Sequence, residues 1–556
     1  MKRFKISILI KRRFIYFFFV LFIILCYSLL AILIIRDNNN NHDNNGNEIS
    51  DHFSINKKGD NQKFLKEDDI MDQNLGTDHF MDLIKIKNER EKTDWLIKKY
   101  MLDFIKKPLK PEEFVELKKR EDYHTSLWNI IFGQFKEWEN PIEVSNYKQK
   151  LQKESSFLTQ KNHNHLFGNR KFLSIVHQAL YPWLYGFHYH SFSDIVSSSN
   201  GRGIVICTGN YHFKYARSTI DILRNVLNTE LPIEVFYNGE RDLSLENRNL
   251  LINEFENIYL SDITNYFDNN IVNISGWAIK PFSILASRFE EVILMDADAL
   301  FLRDPIELFK EKGYQEKGTL FFRDRTLFPG ENSASKWLKS WLINPLPETK
   351  ELRFWNEQTE HEMESSTVVI HKIKTILGLL NVCKLNEYAI RQDVVYNKVY
   401  GDKETYWIGY DMARQPYYMS SKPCAFVGEV VDDDESSNLE DKKLCGHTAH
   451  TLENGKLMFW NGHLVKDKNI GMYKNELLRF EAYAFEDNDK NWSINLACLN
   501  LGDTKEPIYF DEEELEVYNK IMEREKLHHY LITERKRKKK PHKFNNNNNN
   551  NKPHNK

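Results

Sequence analysis

Residues 280–305 read KPFSILASRFEEVILMDADALFLRDP, and the order of these residues decides the fold. Pro281 suits the first turn of a helix, and Phe282, Leu285, Ala286 and Phe289 recur at helical spacing. The run from Val292 to Met295 is apolar without alternation, the pattern of a strand buried on both faces of a sheet. Asp296 and Asp298 follow at its carboxyl end, where open α/β sheets collect their ligands. Two carboxylates there repel each other and lose solvation unless a cation lies between them. A hard divalent ion that also touches phosphate oxygens supplies that cation. The local reading is a metal–diphosphate site.

Asp-x-Asp alone also fits a solvated turn. Its setting is more specific: a helix, a buried strand, Asp-Ala-Asp, the apolar run 299–302 and a closing Asp304-Pro305. This order resembles the metal-binding segment of GT-A glycosyltransferases.

Strand and helix patterns alternate upstream of the segment. Residues 204–208 read as a buried strand leading into Thr208-Gly209-Asn210-Tyr211, then a helix with Ala216, Ile220, Leu223 and Leu227 on one face. Residues 233–237 and 258–260 read as further strands, with a helix over 245–255 between them. This rhythm predicts a parallel, doubly wound α/β sheet whose first and fourth strands end at one edge. Gly209 allows backbone to approach a ligand there, and Tyr211 offers a ring to a nucleobase, although Thr-Gly-Asn is also an ordinary turn.

Seven blocks appear in order between residues 203 and 468: CTGNY from Cys207, LPIEVFY from Leu231, KPF from Lys280, MDAD from Met295, GTLFFRDR from Gly318, GDKETYW from Gly401 and WNG from Trp460. Together they resemble the fungal-type Golgi α-mannosyltransferases of glycosyltransferase family 71. The resemblance implies a GT-A, Rossmann-like domain with a mostly parallel sheet. It implies transfer of mannose from GDP-mannose to a glycan or glycoprotein acceptor, in an α linkage and with a divalent metal such as Mn²⁺. Asp296 and Asp298 would hold the metal, and the late His450 or His463 would supply a third ligand. Thr208, Gly209, Asn210, Tyr211, Lys280, Arg323 and Asp324 would face the donor, with Lys280 alternatively a helix cap and Arg323-Asp324 a structural pair. Asp393 or Asp402 would steady charge developing on the sugar. An α donor giving an α product means retention, through front-face attack with phosphate as base. The run Glu364-Ser365-Ser366-Thr367 departs from the pattern, since a Ser-Gly is expected before this strand. Two alternatives remain on the same fold: a UDP-hexose transferase and an inactive Golgi scaffold.

Toward the N-terminus, residues 1–13 are basic without an acid, and residues 14–35 carry no formal charge, long enough to cross a bilayer. The charge bias predicts a signal anchor with a cytosolic tail and a luminal remainder, a single-pass type II Golgi membrane topology. Residues 36–79 are too polar for a core and read as a stem; residues 80–198 read as a helical accessory region with Trp128, Ile130, Ile131 and Phe132 in its core. The catalytic domain is expected over 199–532 and a basic, asparagine-rich tail over 533–556. That tail alone could suggest nucleic acid, but a luminal tail excludes such a partner, and a net charge of −3 gives no global field for polyanions. Asn273-Ile-Ser and Asn491-Trp-Ser are glycan acceptor sequons. Beyond Cys26 there are five cysteines, enough for up to two disulfides, and no Cys-x-x-Cys for zinc.

Overall fold

A computed structural model describes residues 107–133, 140–160, 162–432, 442–466, 476–487, 492, 497–501 and 506–539. All of them fall within the compact unit Ile70–Lys556. The expected membrane span, the stem, the start of the accessory region, Asn491 and the tail beyond residue 539 lie outside the described residues. Among the described residues no helix is long and apolar enough to cross a membrane.

The central sheet has six strands in the order β3-β2-β1-β4-β7-β6. These are β1 (Arg202–Cys207), β2 (Ile233–Tyr237), β3 (Ile258–Asp262), β4 (Glu291–Asp296), β6 (Thr319–Arg323) and β7 (Met363–His371). β1 to β4 run parallel, and β7 runs against its neighbours β4 and β6. The chain winds outward from β1 to β3, then crosses back to place β4 on the other side of β1. That reversal opens a crevice at the carboxyl ends of β1 and β4, the place where doubly wound sheets bind ligands. The register puts Cys207 directly opposite Asp296, so the loop from Thr208 and the Asp-Ala-Asp leave the sheet side by side.

A second sheet of seven strands is antiparallel: β5 (Ala299–Phe301), β8 (Ala425–Asp432), β9 (Lys442–Thr451), β10 (Leu457–Asn461), β11 (Ala482–Phe485), β12 (Cys498–Asn500) and β13 (Ile508–Tyr509). The sequence does not foretell it. β5 begins one residue after Asp298, so Asp-Ala-Asp is the hinge of chain that joins the two sheets. A disulfide joins Cys445 to Cys498 across registered positions of β9 and β12, and Cys207, Cys383 and Cys424 are free thiols.

The region before β1 is helical, with helices Phe114–Phe132, Pro141–Glu154, Gly168–Leu180 and Phe192–Ser198. Trp128 and Phe132 are buried as expected, whereas Ile130 is exposed because it falls on the outer face of its helix. Trp183 anchors this region to the sheet domain, its ring edge-on to Phe282 at 5.1 Å and to Phe267 at 5.4 Å. At the other end, helix Glu512–Lys539 packs on helix Phe213–Asn225, where Asp221 accepts from Arg524 and lies 2.9 Å from the His528 ring.

Candidate active site

Helix Ile279–Ala286 starts under the carboxyl edge of the sheet and delivers Lys280 to its centre. The ammonium is buried, 3.1 Å from Asp296 and 3.3 Å from Asp402, and donates to the Ser365 hydroxyl at 3.0 Å. Burial opposes its charge, but Asp296, Asp402 and Glu364 together hold its pKa above the usual lysine value. Ser365 in turn lies 3.3 Å from Asp402, so helix, β7 and the Gly401–Asp402 turn meet at one point.

Asp298 is 7 % exposed, and its carbonyl accepts from the backbone N–H groups of Gly462 and His463 at 3.1 and 2.8 Å. His463 has a φ of +63°, costly for any residue that carries a Cβ. The turn is held by those bonds and by Trp460, whose indole N–H reaches the His463 carbonyl at 2.7 Å. β10 thus fixes the second aspartate through the main chain.

Glu364, within β7, is buried and accepts from Asn461 at 3.1 Å and from the Ser366 amide and hydroxyl. Burial would raise its pKa, yet His450 and Lys403 bring it down to about 2. Four acids, Asp296, Asp298, Asp402 and Glu364, therefore influence one position against a single central ammonium. The Asp296 carboxyl shows the imbalance. Burial, and then Asp298, Asp402 and Glu364, push it up to about 6 against the pull of Lys280.

That excess of negative charge fits a divalent cation at Asp296 and Asp298. Among the described residues no three His, Cys, Asp or Glu side chains gather closely enough to hold a metal. Two carboxylates with the remaining positions left to phosphate oxygens and water match the chemistry of such an ion at a diphosphate. The four expected metal ligands do not form one cluster. His463 turns its imidazole to Glu525 of the C-terminal helix, Nδ1 to Oε2 3.2 Å, and meets Asp298 through its backbone N–H. His450 faces Glu364 at 3.6 Å and packs on Phe459 and Phe322.

The other expected residues divide. Thr208 and Gly209 leave β1 beside Asp296; a Cβ on Gly209 would lie 2.1 Å from the Asp242 carboxylate, so the loop needs glycine. Asn210 is committed to the neighbouring loop, accepting from the Ser244 N–H and the Asn247 amide. Tyr211 is 61 % exposed, open to a ligand. Arg323 donates to the Ser420 carbonyl, and Asp324 is buried against Lys403, which holds its pKa far below the usual range despite burial, so this pair is built into the fold. Asp402 lies in the cluster, while Asp393 is exposed at the end of helix Tyr388–Asp393, outside it. Asn273 is exposed at a helix end with a φ of +38°. Glu364 and Asn461 were not foreseen as site residues, because Glu364 opens a polar run at the start of β7 and Asn461 reaches it from another sheet.

Residues 201–452 match the family model described as "Mannosyltransferase putative". Among curated proteins, "Putative alpha-1,3-mannosyltransferase MNN15" of Candida albicans is 29% identical over 52% of this chain and 45% of its own length. "Putative alpha-1,3-mannosyltransferase MNN14" of the same species is 25% identical over 70% of this chain and 64% of its own. "Alpha-1,3-mannosyltransferase MNT3" of Saccharomyces cerevisiae is 27% identical over 54% of this chain and 53% of its own. The chain thus spans roughly half to two thirds of the length of these relatives. The matched segment carries the crevice, the Asp-Ala-Asp and the Lys280 cluster, and over it the chain is similar to this mannosyltransferase family and to these fungal α-1,3-mannosyltransferases.

Proposed function

We propose that this chain is a retaining α-mannosyltransferase of GT-A type. It would take mannose from GDP-mannose and place it in an α linkage on a glycan, anchored as a type II protein with its catalytic domain in the Golgi lumen. The observation that carries the reading is the carboxylate cluster at the β1/β4 crevice, where Asp296 and Asp298 fit a divalent ion such as Mn²⁺. Bound there, the ion would offset the charge that gathers on the diphosphate as the glycosidic bond breaks. Lys280 holds Asp296 and Asp402 in place and adds a fixed positive charge behind the site. Asp402, held by Lys280 and Ser365, is positioned to steady positive charge on the sugar ring. The buried acids near it are engaged by Lys280, Ser366, Asn461 and Lys403, which favours front-face attack by the acceptor hydroxyl over a carboxylate nucleophile. The Cys445–Cys498 disulfide supports an oxidising compartment, and the exposed Asn273 sequon supports a luminal face.

The test is a panel of nucleotide sugars with the purified luminal portion and Mn²⁺, read as donor hydrolysis or transfer. GDP-mannose is expected to turn over and UDP-glucose and UDP-galactose to stay intact. Turnover of a UDP-hexose alone would overturn the donor assignment, and turnover of none would favour an inactive scaffold.

A further inference from the structure

Two large aromatic rings stand exposed beside the buried cluster. Trp277 is 48 % and Tyr400 57 % exposed, and their ring centroids lie 5.3 Å apart. His361 meets Tyr400 edge-on at 5.9 Å, and Tyr396 lies 6.2 Å from Trp277. The pair is fixed in place. Trp277 lies across Gly401, whose φ is +62°; a Cβ there would come within 2.8 Å of the indole. Each ring is also tied to the cluster by a short piece of chain: Trp277 precedes Lys280 by three residues, Tyr400 precedes Asp402 by two, and His361 precedes Glu364 by three.

Two adjacent rings, exposed and fixed beside the buried cluster, offer a ready-made stacking surface. Two rings are far smaller than the roughly 800 Å² per side that a stable protein interface needs. They lie on the β7 side of the cluster, because Asp402 contacts Ser365 of that strand. The Thr208–Tyr211 loop, where a nucleotide would lie, leaves β1 on the far side of β4. What suits such a platform is the C–H face of a pyranose, which is apolar, stacks on an aromatic face and leaves its hydroxyls at the rim for polar groups.

We infer that Trp277 and Tyr400 form the stacking platform for a sugar ring of the acceptor glycan, opposite the donor side of the crevice. This rests on the transferase reading above. The experiment compares the wild type with Trp277→Ala, Tyr400→Ala and Trp277→Phe, using GDP-mannose, Mn²⁺ and α-mannobiose as acceptor. Each alanine variant is expected to raise the acceptor KM about tenfold, the worth of one good stacking contact. Trp277→Phe, which keeps a ring, should restore most of that loss, and GDP affinity in Mn²⁺ should move less than twofold in all three. An unchanged acceptor KM in both alanine variants overturns the platform. So does an equal loss of GDP affinity, which would place Trp277 on the donor side. Should the wild type transfer nothing, direct binding of α-mannobiose, read by calorimetric titration, decides separately. Binding weakened in Trp277→Ala and largely kept in Trp277→Phe upholds the platform while the transferase reading falls, and no binding sinks both.

Discussion

Lys280 is the residue on which the site's electrostatics turn. Its ammonium faces Asp296 and Asp402 from a buried position, with Glu364 adding to the same field. Lys280→Met keeps the length of the side chain and removes the charge. The carboxylates left behind would then repel one another in a poorly solvated place. Breaking a buried pair by removing one partner costs about 3 kcal/mol or more. The variant should melt lower than the wild type, and added Mn²⁺ should recover part of the loss by replacing the missing positive charge. Thermal unfolding with and without Mn²⁺ checks this; an unchanged melting temperature would mean that Lys280 is merely a solvated cap. At this scale the sequence was legible where partners are close along the chain. Asp296 and Asp298 are separated by one residue, and Lys280 opens the helix that leads to them. Glu364, Asn461 and Lys403 reach the cluster from three other elements, and no local pattern announces that.

Among the elements, the paired helices Phe114–Phe132 and Gly168–Leu180 carry a buried polar network with a clear pH signature. His124 Nε2 lies 2.9 Å from His177 Nδ1, His177 Nε2 lies 2.6 Å from the Tyr185 hydroxyl, and Tyr181 donates to Glu121. Burial pulls His124 down to about 3; burial and then the charge of His124 pull His177 well below its ordinary value. Both rings are therefore neutral when folded, and their contribution is full above about pH 6.5 and lost as pH falls, roughly 1.4 kcal/mol per unit for each. Glu121 works the other way. Burial raises it to about 7, so its contribution is full below its ordinary value and lost as pH rises toward 7. Two histidines outweigh one glutamate, and this network should weaken below pH 6.5. Urea unfolding from pH 7 to 4.5 checks it: His124→Gln should flatten the slope by about 1.4 kcal/mol per unit, and a slope parallel to the wild type would contradict the assignment.

Elements also differ in how far the sequence shows them. β1, β2 and β4 are apolar runs buried on both faces, and each is found within a residue or two of its expected ends. β7 begins with Glu364, Ser365, Ser366 and Thr367, all buried, so polarity disguises a central strand. The antiparallel sheet is hidden for another reason. β5 has three residues, and β9 is largely half-buried, without the alternation that signals a strand.

At the scale of the whole molecule, the Asp-Ala-Asp joins a parallel sheet to an antiparallel one and is gripped by parts distant in sequence. The Asp298 carbonyl is held by the Gly462–His463 turn, and His463 is backed by Glu525 of the C-terminal helix. Ser218, in the helix after β1, also donates to Glu525. The helix after β1, the Asp-Ala-Asp turn and the C-terminal helix are thus mechanically joined, and the fold beyond residue 452 supports this turn. The most direct test is calorimetric titration of GDP into wild type and Asp298→Asn, with and without Mn²⁺. The substitution keeps size and removes one charge, so both proteins should melt alike without metal. The wild type should bind GDP more tightly when Mn²⁺ is present, and Asp298→Asn should lose that gain together with about a hundred- to thousandfold of its transfer rate. GDP binding that responds to Mn²⁺ equally in both proteins would contradict a metal–diphosphate site at Asp296 and Asp298.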